Sequence, residues 1–79
     1  MSEVMKKIIE TLEEIRPGCD FAGKAALVDD GLLDSFEVIQ FISEIGDKLD
    51  VDIPVEEIIP ENFNSLEAIE KLINSLLEI

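Results

Sequence analysis

The sequence of 79 residues predicts a small all-α bundle, with three main helices, one short helix and a long loop between the first and second helices. Three observations favour this fold class. Apolar residues recur at helical spacing in three segments, Pro and Gly interrupt the chain between them, and no segment alternates apolar and polar residues as a strand would. No linker is long enough to divide the chain, so we expect a single domain over residues 1–79.

The first helix is predicted from its apolar spacing and its proline stop. Its buried face follows the i, i+3, i+4 rule and consists of Val4, Met5, Ile8, Ile9, Leu12 and Ile15. Arg16-Pro17-Gly18 should end it, because proline lacks an N–H and disfavours helix in the residue before it. The long loop, residues 17–33, has apolar anchors at Phe21, Leu27, Val28, Leu32 and Leu33. A loop of this length is usually functional or packed down by its own side chains.

The second helix should begin at Asp34-Ser35. Asp34 is a good N-cap, and Glu37 three residues later completes a pattern like a capping box. Its core side is predicted to consist of Val38, Phe41, Ile42, Ile45 and Leu49.

Two prolines define the short third helix. Ile53-Pro54 breaks the chain, Pro54 suits the first helical position, and the segment should end before Pro60. Asn64 with Glu67 offers another cap for the last helix. The inward residues of that helix are predicted to be Leu66, Ile69, Leu72, Ile73, Leu76 and Leu77.

Composition excludes several classes of function. Nineteen acidic residues against six basic ones give a net charge of −13, which disfavours nucleic acid and an anionic membrane surface as partners. The chain has no His, the usual base near neutral pH, and its single Cys allows no internal disulfide. It lacks an apolar run of about 20 residues and a signal-peptide core. We therefore expect a cytoplasmic protein, monomeric and without membrane insertion.

Ser35 is the candidate site residue. At the first turn of a helix its hydroxyl should point outward, although a serine that merely suits a helix start is the simpler interpretation of the residue alone. Nucleophilic catalysis would need an adjacent base, and Lys48 lies roughly 20 Å further down the same helix at 1.5 Å per residue. Ser35 is therefore interpreted as a substrate of another enzyme, and the protein as a non-enzyme with no catalytic residues.

The segment Asp29-Asp30-Gly31-Leu32-Leu33-Asp34-Ser35-Phe36 resembles the prosthetic-group attachment site of the acyl and peptidyl carrier protein superfamily, which is built around Asp-Ser-Leu or a close variant. The order of helices, the length and the acidity resemble that family too. The resemblance implies that Ser35 carries 4′-phosphopantetheine, which a separate phosphopantetheinyl transferase takes from coenzyme A. Asp34 would cap the helix and take part in recognition by the transferase. The terminal thiol of the arm would hold an acyl or aminoacyl group as a thioester.

One departure from the family pattern bears on the subclass. Phe36 stands where fatty-acid carriers usually have Leu, and Gly31–Phe36 is closer to stand-alone D-alanyl carriers and other aminoacyl or specialised acyl carriers. The resemblance implies two kinds of enzyme partner besides the transferase: a loading ligase or adenylating enzyme, and downstream transferases. Fatty acid, polyketide, peptide and D-alanyl transfer pathways all remain open.

A docking surface is predicted beside Ser35. Phe36, Ile39 and Ser43 share a helical stripe rotated away from the core face. Polar residues ring this stripe, among them Glu37, Gln40 and Glu44. Exposed apolar residues in such a setting are typical of an interaction site, here for enzymes with basic surfaces. Two alternatives stay open: Phe36 folds back over the long loop, or the protein is an acidic helical adaptor without a prosthetic group.

Neither the acids nor Cys19 predicts a further site. Asp30 and Glu37 match two positions of a calcium-binding loop, but Ala26 and Val28 stand where oxygen ligands are needed. The acids are therefore interpreted as a solvated surface with no defined metal site, and loose binding of divalent cations to this surface stays open. Cys19 is expected to be a small, partly buried apolar residue, because the neighbouring Asp20 has the wrong charge to activate a thiol.

Overall fold

The computed structural model describes residues 2–18, 20–21 and 23–77, and this part of the chain is helical without strands, as predicted. Three α-helices form the body: α1 (Glu3–Ile15), α2 (Ser35–Leu49) and α3 (Leu66–Leu77). Helix α1 packs against both α2 and α3. Two short 3₁₀ helices, Val55–Glu57 and Pro60–Asn62, lie between α2 and α3.

Helix α1 ends where its sequence predicts. It begins at a Ser2 cap that the sequence pattern did not indicate. The Arg16 N–H donates to the Leu12 carbonyl at 2.8 Å and closes the last turn. At the start, the Ser2 hydroxyl oxygen accepts from the Met5 N–H at 3.0 Å. The same hydroxyl donates to Glu70 of α3 at 2.5 Å, so the cap also joins the first and last helices.

Helix α2 has the predicted capping box and a glycine-dependent end. The Glu37 N–H donates to the Asp34 carboxylate at 2.8 Å, while the Asp34 N–H donates to the Glu37 carboxylate at 3.1 Å. The helix ends at Asp50, which is left-handed at φ 53°. The next residue, Val51, donates to the Gly46 carbonyl at 3.1 Å. A Cβ at Gly46 would lie 2.9 Å from the Val51 oxygen, so a side chain there would disturb the turn.

The short helix predicted to follow Ile53-Pro54 and to end before Pro60 is confirmed as the 3₁₀ helix Val55–Glu57, although Pro54 does not occupy its first position. Pro54 is the extended N-cap of the first 3₁₀ helix, and Pro60 occupies the first turn of the second. A residue before proline is disfavoured in helical conformation, and Ile59 is indeed extended at φ −127°, ψ 150°. This extended residue divides the segment into two 3₁₀ helices, each too short for an α-helical ladder.

Asn64 does not cap α3, contrary to the prediction. The cap is Ser65, whose hydroxyl oxygen accepts from the Ala68 N–H at 3.1 Å. The Asn64 side-chain oxygen accepts instead from the Val28 N–H at 2.9 Å and the Asp29 N–H at 3.1 Å. The Ser65 hydroxyl oxygen is a sufficient acceptor for the cap. The Asn64 side-chain oxygen accepts instead from N–H groups of the long loop, which are remote from Asn64 in sequence. Asn64 therefore fastens the long loop to the start of α3.

The core joins all three α-helices with the long loop. Its aromatic centre is the contact of Phe41 with Phe63, whose ring centroids are 6.4 Å apart in an edge-to-face arrangement. The loop contributes the buried side chains of Phe21, Leu27 and Leu33, so it is packed down by its own residues, as predicted. The expectation for Cys19 lies outside the described residues.

Candidate functional site

Ser35 is exposed at the first position of α2. The two acidic side chains nearest to it in the helix start, Asp34 and Glu37, are both used to cap backbone N–H groups. A helix start carries partial positive charge and favours an anionic group such as a phosphate diester. The site therefore combines an accessible hydroxyl with a capped helix start.

An apolar pocket of about 130 Å³ lies beside the Ser35 side chain. The wall comes from α2, the long loop and the segment that contains the 3₁₀ helices. Its apolar residues are Val28, Val38, Ile39, Ile58, Ile59, Pro60 and Phe63. Among the described residues that line it, Ser35 alone has a polar side chain. These features fit a phosphopantetheine arm: a hydroxyl for its attachment and an apolar wall alongside.

The apolar stripe predicted beside Ser35 is exposed. Phe36 is 78% exposed and Ile39 55%, so Phe36 does not fold back over the loop. Gln40 and Ser43 are exposed as well, and the Gln40 amide donates to the half-buried Glu44 carboxylate at 3.3 Å. The structure thus brings these five residues together on the outer face of α2.

Glu37 is placed differently from the other residues of the predicted docking surface. Its carboxylate accepts from the Asp34 N–H and forms an ion pair with Arg16 at 3.3 Å. The Glu37 side chain is only 20% exposed. Its charge is therefore largely engaged within the protein, which leaves Glu44 as the freer acid of the predicted set.

Sequence reasoning missed the contribution of Arg16 to this site. From the end of α1, its guanidinium donates to the Leu32 carbonyl and, at 3.4 Å, to the Gly31 carbonyl, in addition to its pair with Glu37. In the sequence, Arg16 stands out only as part of a helix stop. Sequence spacing gives no signal for these contacts, because they span 15 to 21 residues.

Lys48 occupies the opposite end of α2 and is fully engaged there. Its ammonium lies 2.8 Å from Glu14 and 3.4 Å from Glu10, and it donates to the Thr11 hydroxyl at 3.0 Å. The hydrogen bond from Lys48 lowers the pKa of Glu14, and the bond to Glu14 raises the pKa of Lys48. Lys48 is thus a protonated link between α1 and α2 and no base for Ser35.

The described residues contain neither a metal-binding cluster nor a membrane-spanning helix. No group of three or more acidic, His or Cys side chains in the part of the chain that the structure describes is arranged to hold a metal ion. Asp29, beside Asp30 in the long loop, accepts from the Asn64 amide at 3.3 Å. No helix within residues 2–18, 20–21 and 23–77 has the length and apolar character needed to cross a membrane.

Comparison with known proteins gives one family and several relatives. Residues 3–73 match the family described as "Phosphopantetheine attachment site". Aminoacyl carrier protein 1 of Bradyrhizobium diazoefficiens is 31% identical over 77 residues, 98% of this chain and 84% of that protein. The D-alanyl carrier protein of Listeria welshimeri is 38% identical over 55 residues, covering 70% of this chain and 64% of that protein. Its Listeria monocytogenes counterpart is 39% identical over 54 residues, covering 66% and 69%. No solved structure matches significantly.

Proposed function

Because the chain belongs to the family of proteins with a phosphopantetheine attachment site, we propose that Ser35 is the residue to which the arm is attached. The protein is a carrier for acyl or D-alanyl intermediates and bears a covalently attached 4′-phosphopantetheine. When bound, that group supplies a thiol on a flexible arm, which holds the cargo as a thioester. Carrier proteins are normally non-catalytic and work with transferases and loading enzymes.

The choice of Ser35 is supported by how the other described serines are used. Ser2 and Ser65 are caps, and the Ser75 hydroxyl donates to the carbonyl of Leu72 within its own helix. Ser43 is exposed, but it lies in the interior of α2, away from the N–H groups at the helix start. Ser35 alone among these serines combines exposure with a helix start and the apolar pocket. This combination is the observation that carries the proposal.

The residues around Ser35 have separate roles in this proposal. Asp34 fixes the first turn of α2 and so sets the direction of the hydroxyl, and it contributes to recognition by a phosphopantetheinyl transferase. The partial positive charge of the helix start favours the phosphate of the arm. Val38 and Ile39 offer apolar surface at the pocket wall, next to the attachment point.

We assign enzyme docking to the outer face of α2. The exposed side chains of Phe36 and Ile39 would enter an apolar groove on the partner, with Gln40, Ser43 and Glu44 at the rim and Glu37 as an internal anchor. The negative charge of the chain would attract basic surfaces on three partners: the phosphopantetheinyl transferase, a loading ligase or adenylating enzyme, and downstream transferases. These partners imply a cytoplasmic, monomeric carrier whose residues 1–79 act as one domain.

For the cargo we favour an amino acid or a short acyl group. The relatives named above include an aminoacyl carrier and D-alanyl carriers, all matched over the helix that begins at Ser35 or over most of the chain. The pocket of about 130 Å³ is also small. An apolar cavity of about 150 Å³ binds benzene, so a pocket of this size suits a small group better than a long acyl chain.

Intact mass after incubation with coenzyme A and a broad-specificity phosphopantetheinyl transferase tests the proposal. The wild-type protein should gain the mass of one phosphopantetheinyl group, and Ser35→Ala should gain none. Ser43→Ala is the matched control, because it removes the other exposed hydroxyl of α2 and should be modified like wild type. Modification of Ser35→Ala would disprove the assignment. An unmodified wild-type protein would favour the acidic adaptor, which the family match otherwise disfavours.

A further inference from the structure

Arg16 connects three elements that meet at the start of α2. It is the C-cap residue of α1, and its guanidinium donates to the carbonyls of Gly31 and Leu32 in the long loop. It also pairs at 3.3 Å with Glu37 in the first turn of α2. The Arg16 side chain is 42% exposed, so much of it is covered by these surroundings.

The Glu37 carboxylate extends this connection to the residue before Ser35. One of its oxygens, Oε1, receives both the Arg16 guanidinium and the Asp34 N–H, at 3.3 and 3.1 Å. Residues 31–34 are therefore held from one side by Arg16 and from the other by the capping box. Gly31 is left-handed at φ 81°, so this stretch turns sharply immediately before the helix.

Stability alone gives a weak reason for this arrangement. A partly exposed ion pair contributes little to stability, and a cation near a helix start opposes the helix dipole. Loop residues 26–33 already have their own backbone hydrogen bonds, such as that from the Leu33 N–H to the Leu27 carbonyl at 2.9 Å. What Arg16 adds is a fixed placement of this turn, and thus of Ser35, relative to α1.

We propose that Arg16 is a positioning residue for the transfer of the arm to Ser35. This inference rests on the proposed function of Ser35. Arg16 holds residues 31–34 in the conformation that the transferase recognises, and it does not touch the reacting atoms. When a binding-competent conformation is only partly populated, apparent affinity falls by that fraction while the chemistry of the bound state is unchanged. Loss of Arg16 should therefore raise the KM for the carrier protein and leave kcat near its wild-type value.

The chain offers a matched control at the other end of α2. Lys48 also joins α2 to α1, through Glu10 and Glu14, but it lies far from Ser35. Arg16→Gln and Lys48→Gln each remove one cation that links these helices. Arg16→Lys keeps the charge and loses the planar fork that serves several acceptors.

The experiment measures steady-state arm transfer with varied carrier protein and amide hydrogen exchange of the unmodified protein. Arg16→Gln should raise KM roughly five- to tenfold and speed exchange in residues 31–35, as expected when the competent fraction falls. Arg16→Lys should fall between Arg16→Gln and wild type. Lys48→Gln should keep the wild-type KM and the wild-type exchange of residues 31–35. Melting curves of all variants establish that each is folded at the assay temperature.

The outcomes separate this inference from the proposal about Ser35. If wild type is modified but Arg16→Gln has an unchanged KM, or shares a small increase with Lys48→Gln, Arg16 is only a structural link. A fall in kcat at unchanged KM would equally contradict the positioning role. If wild type itself is never modified, the proposed function fails, whereas faster exchange of residues 31–35 in Arg16→Gln would still show that Arg16 orders the turn.

Discussion

The first and second halves of α2 differ in where their apolar side chains lie. In the first half, Phe36 and Ile39 are mostly in solvent, and Ser35 is exposed beside the pocket. In the second half, Ile45 is almost completely buried, and Ile42 and Leu49 pack against the core. Val38 and Phe41, which face the core, are the exceptions in the first half.

The cations that join the two halves of α2 to α1 also differ, in the groups that they bind. Arg16, near the first half, binds loop carbonyls and a capping carboxylate. Lys48, in the second half, binds only side chains of α1. The comparison teaches that the second half of α2 serves only packing, whereas the first half packs through Val38 and Phe41 and also presents a reactive residue with exposed apolar side chains beside it.

The largest effect should come from a pair of phenylalanine truncations. Phe41→Ala removes a buried ring that packs edge-to-face on Phe63, and it should cost about 3–5 kcal/mol in the free energy of unfolding. Phe36→Ala removes an exposed ring and should change the free energy of unfolding by less than about 0.5 kcal/mol. Urea unfolding followed by circular dichroism measures both. A large loss for Phe36→Ala would show that the outer face of α2 is also a packing surface.

The second effect concerns docking on a partner enzyme. Phe36→Ala should mainly speed dissociation from the transferase, by roughly tenfold, because an apolar anchor leaves its groove. Glu44→Lys should mainly slow association, roughly a few-fold, because it reverses a charge that steers the two proteins together. It should also flatten the salt dependence of the association rate. Stopped-flow binding at several salt concentrations separates the two rates. Glu13→Lys, at an exposed position of α1, is the control for the effect of the changed net charge alone. Equal effects of both lysine variants would remove Glu44 from the docking surface.

A third effect compares two helix caps. Asp34→Ala and Ser65→Ala each remove a side chain that accepts from a backbone N–H at a helix start, so each should cost about 1 kcal/mol. Only Asp34→Ala should also impair arm transfer, since Asp34 precedes Ser35. Thermal melts and transfer rates are measured on both variants. Equal transfer rates would show that the cap at Asp34 acts through stability alone.

The smallest effect should be the pH dependence of the Lys48 link. Its hydrogen bond holds the pKa of Glu14 below the ordinary 4.5 and the pKa of Lys48 above 10.5. The stabilisation is therefore complete above pH 4.5 and is lost as pH falls through the folded-state pKa of Glu14. It is also lost as pH rises through the folded-state pKa of Lys48. The difference in Tm between wild type and Lys48→Gln should be constant from about pH 6 to 9 and shrink in acid. A difference that grows in acid would contradict this link.

Sequence patterns predicted the parts of the structure that depend on neighbouring residues. The capping box of Asp34 and Glu37 spans three residues, and the buried face of α2 repeats at helical spacing, so both could be predicted. Exposure of Phe36 followed from the same periodicity. The segment between Pro54 and Pro60 was predicted less completely. The prolines indicate where the helix is interrupted, but they do not indicate how many short helices lie around the interruption.

The contacts that bridge remote segments could not be predicted. Asn64 looks like a cap by its position before a helix, yet its amide binds loop residues about 35 positions earlier. Arg16 similarly reaches Leu32 and Glu37 only after the long loop has folded back over α1. Both contacts depend on tertiary placement, and no local spacing encodes which loop carbonyl or N–H will be near.

The site of attachment is tested most directly on the unmutated protein. After modification, trypsin should cut at Lys24 and Lys48 and release residues 25–48, which contain only Ser35 and Ser43 as serines. Fragment masses of this peptide then locate the phosphopantetheinyl group. We predict that every modified peptide carries it on Ser35, in the half of α2 that we assign to function. A group on Ser43, or on any peptide outside residues 25–48, would contradict the account.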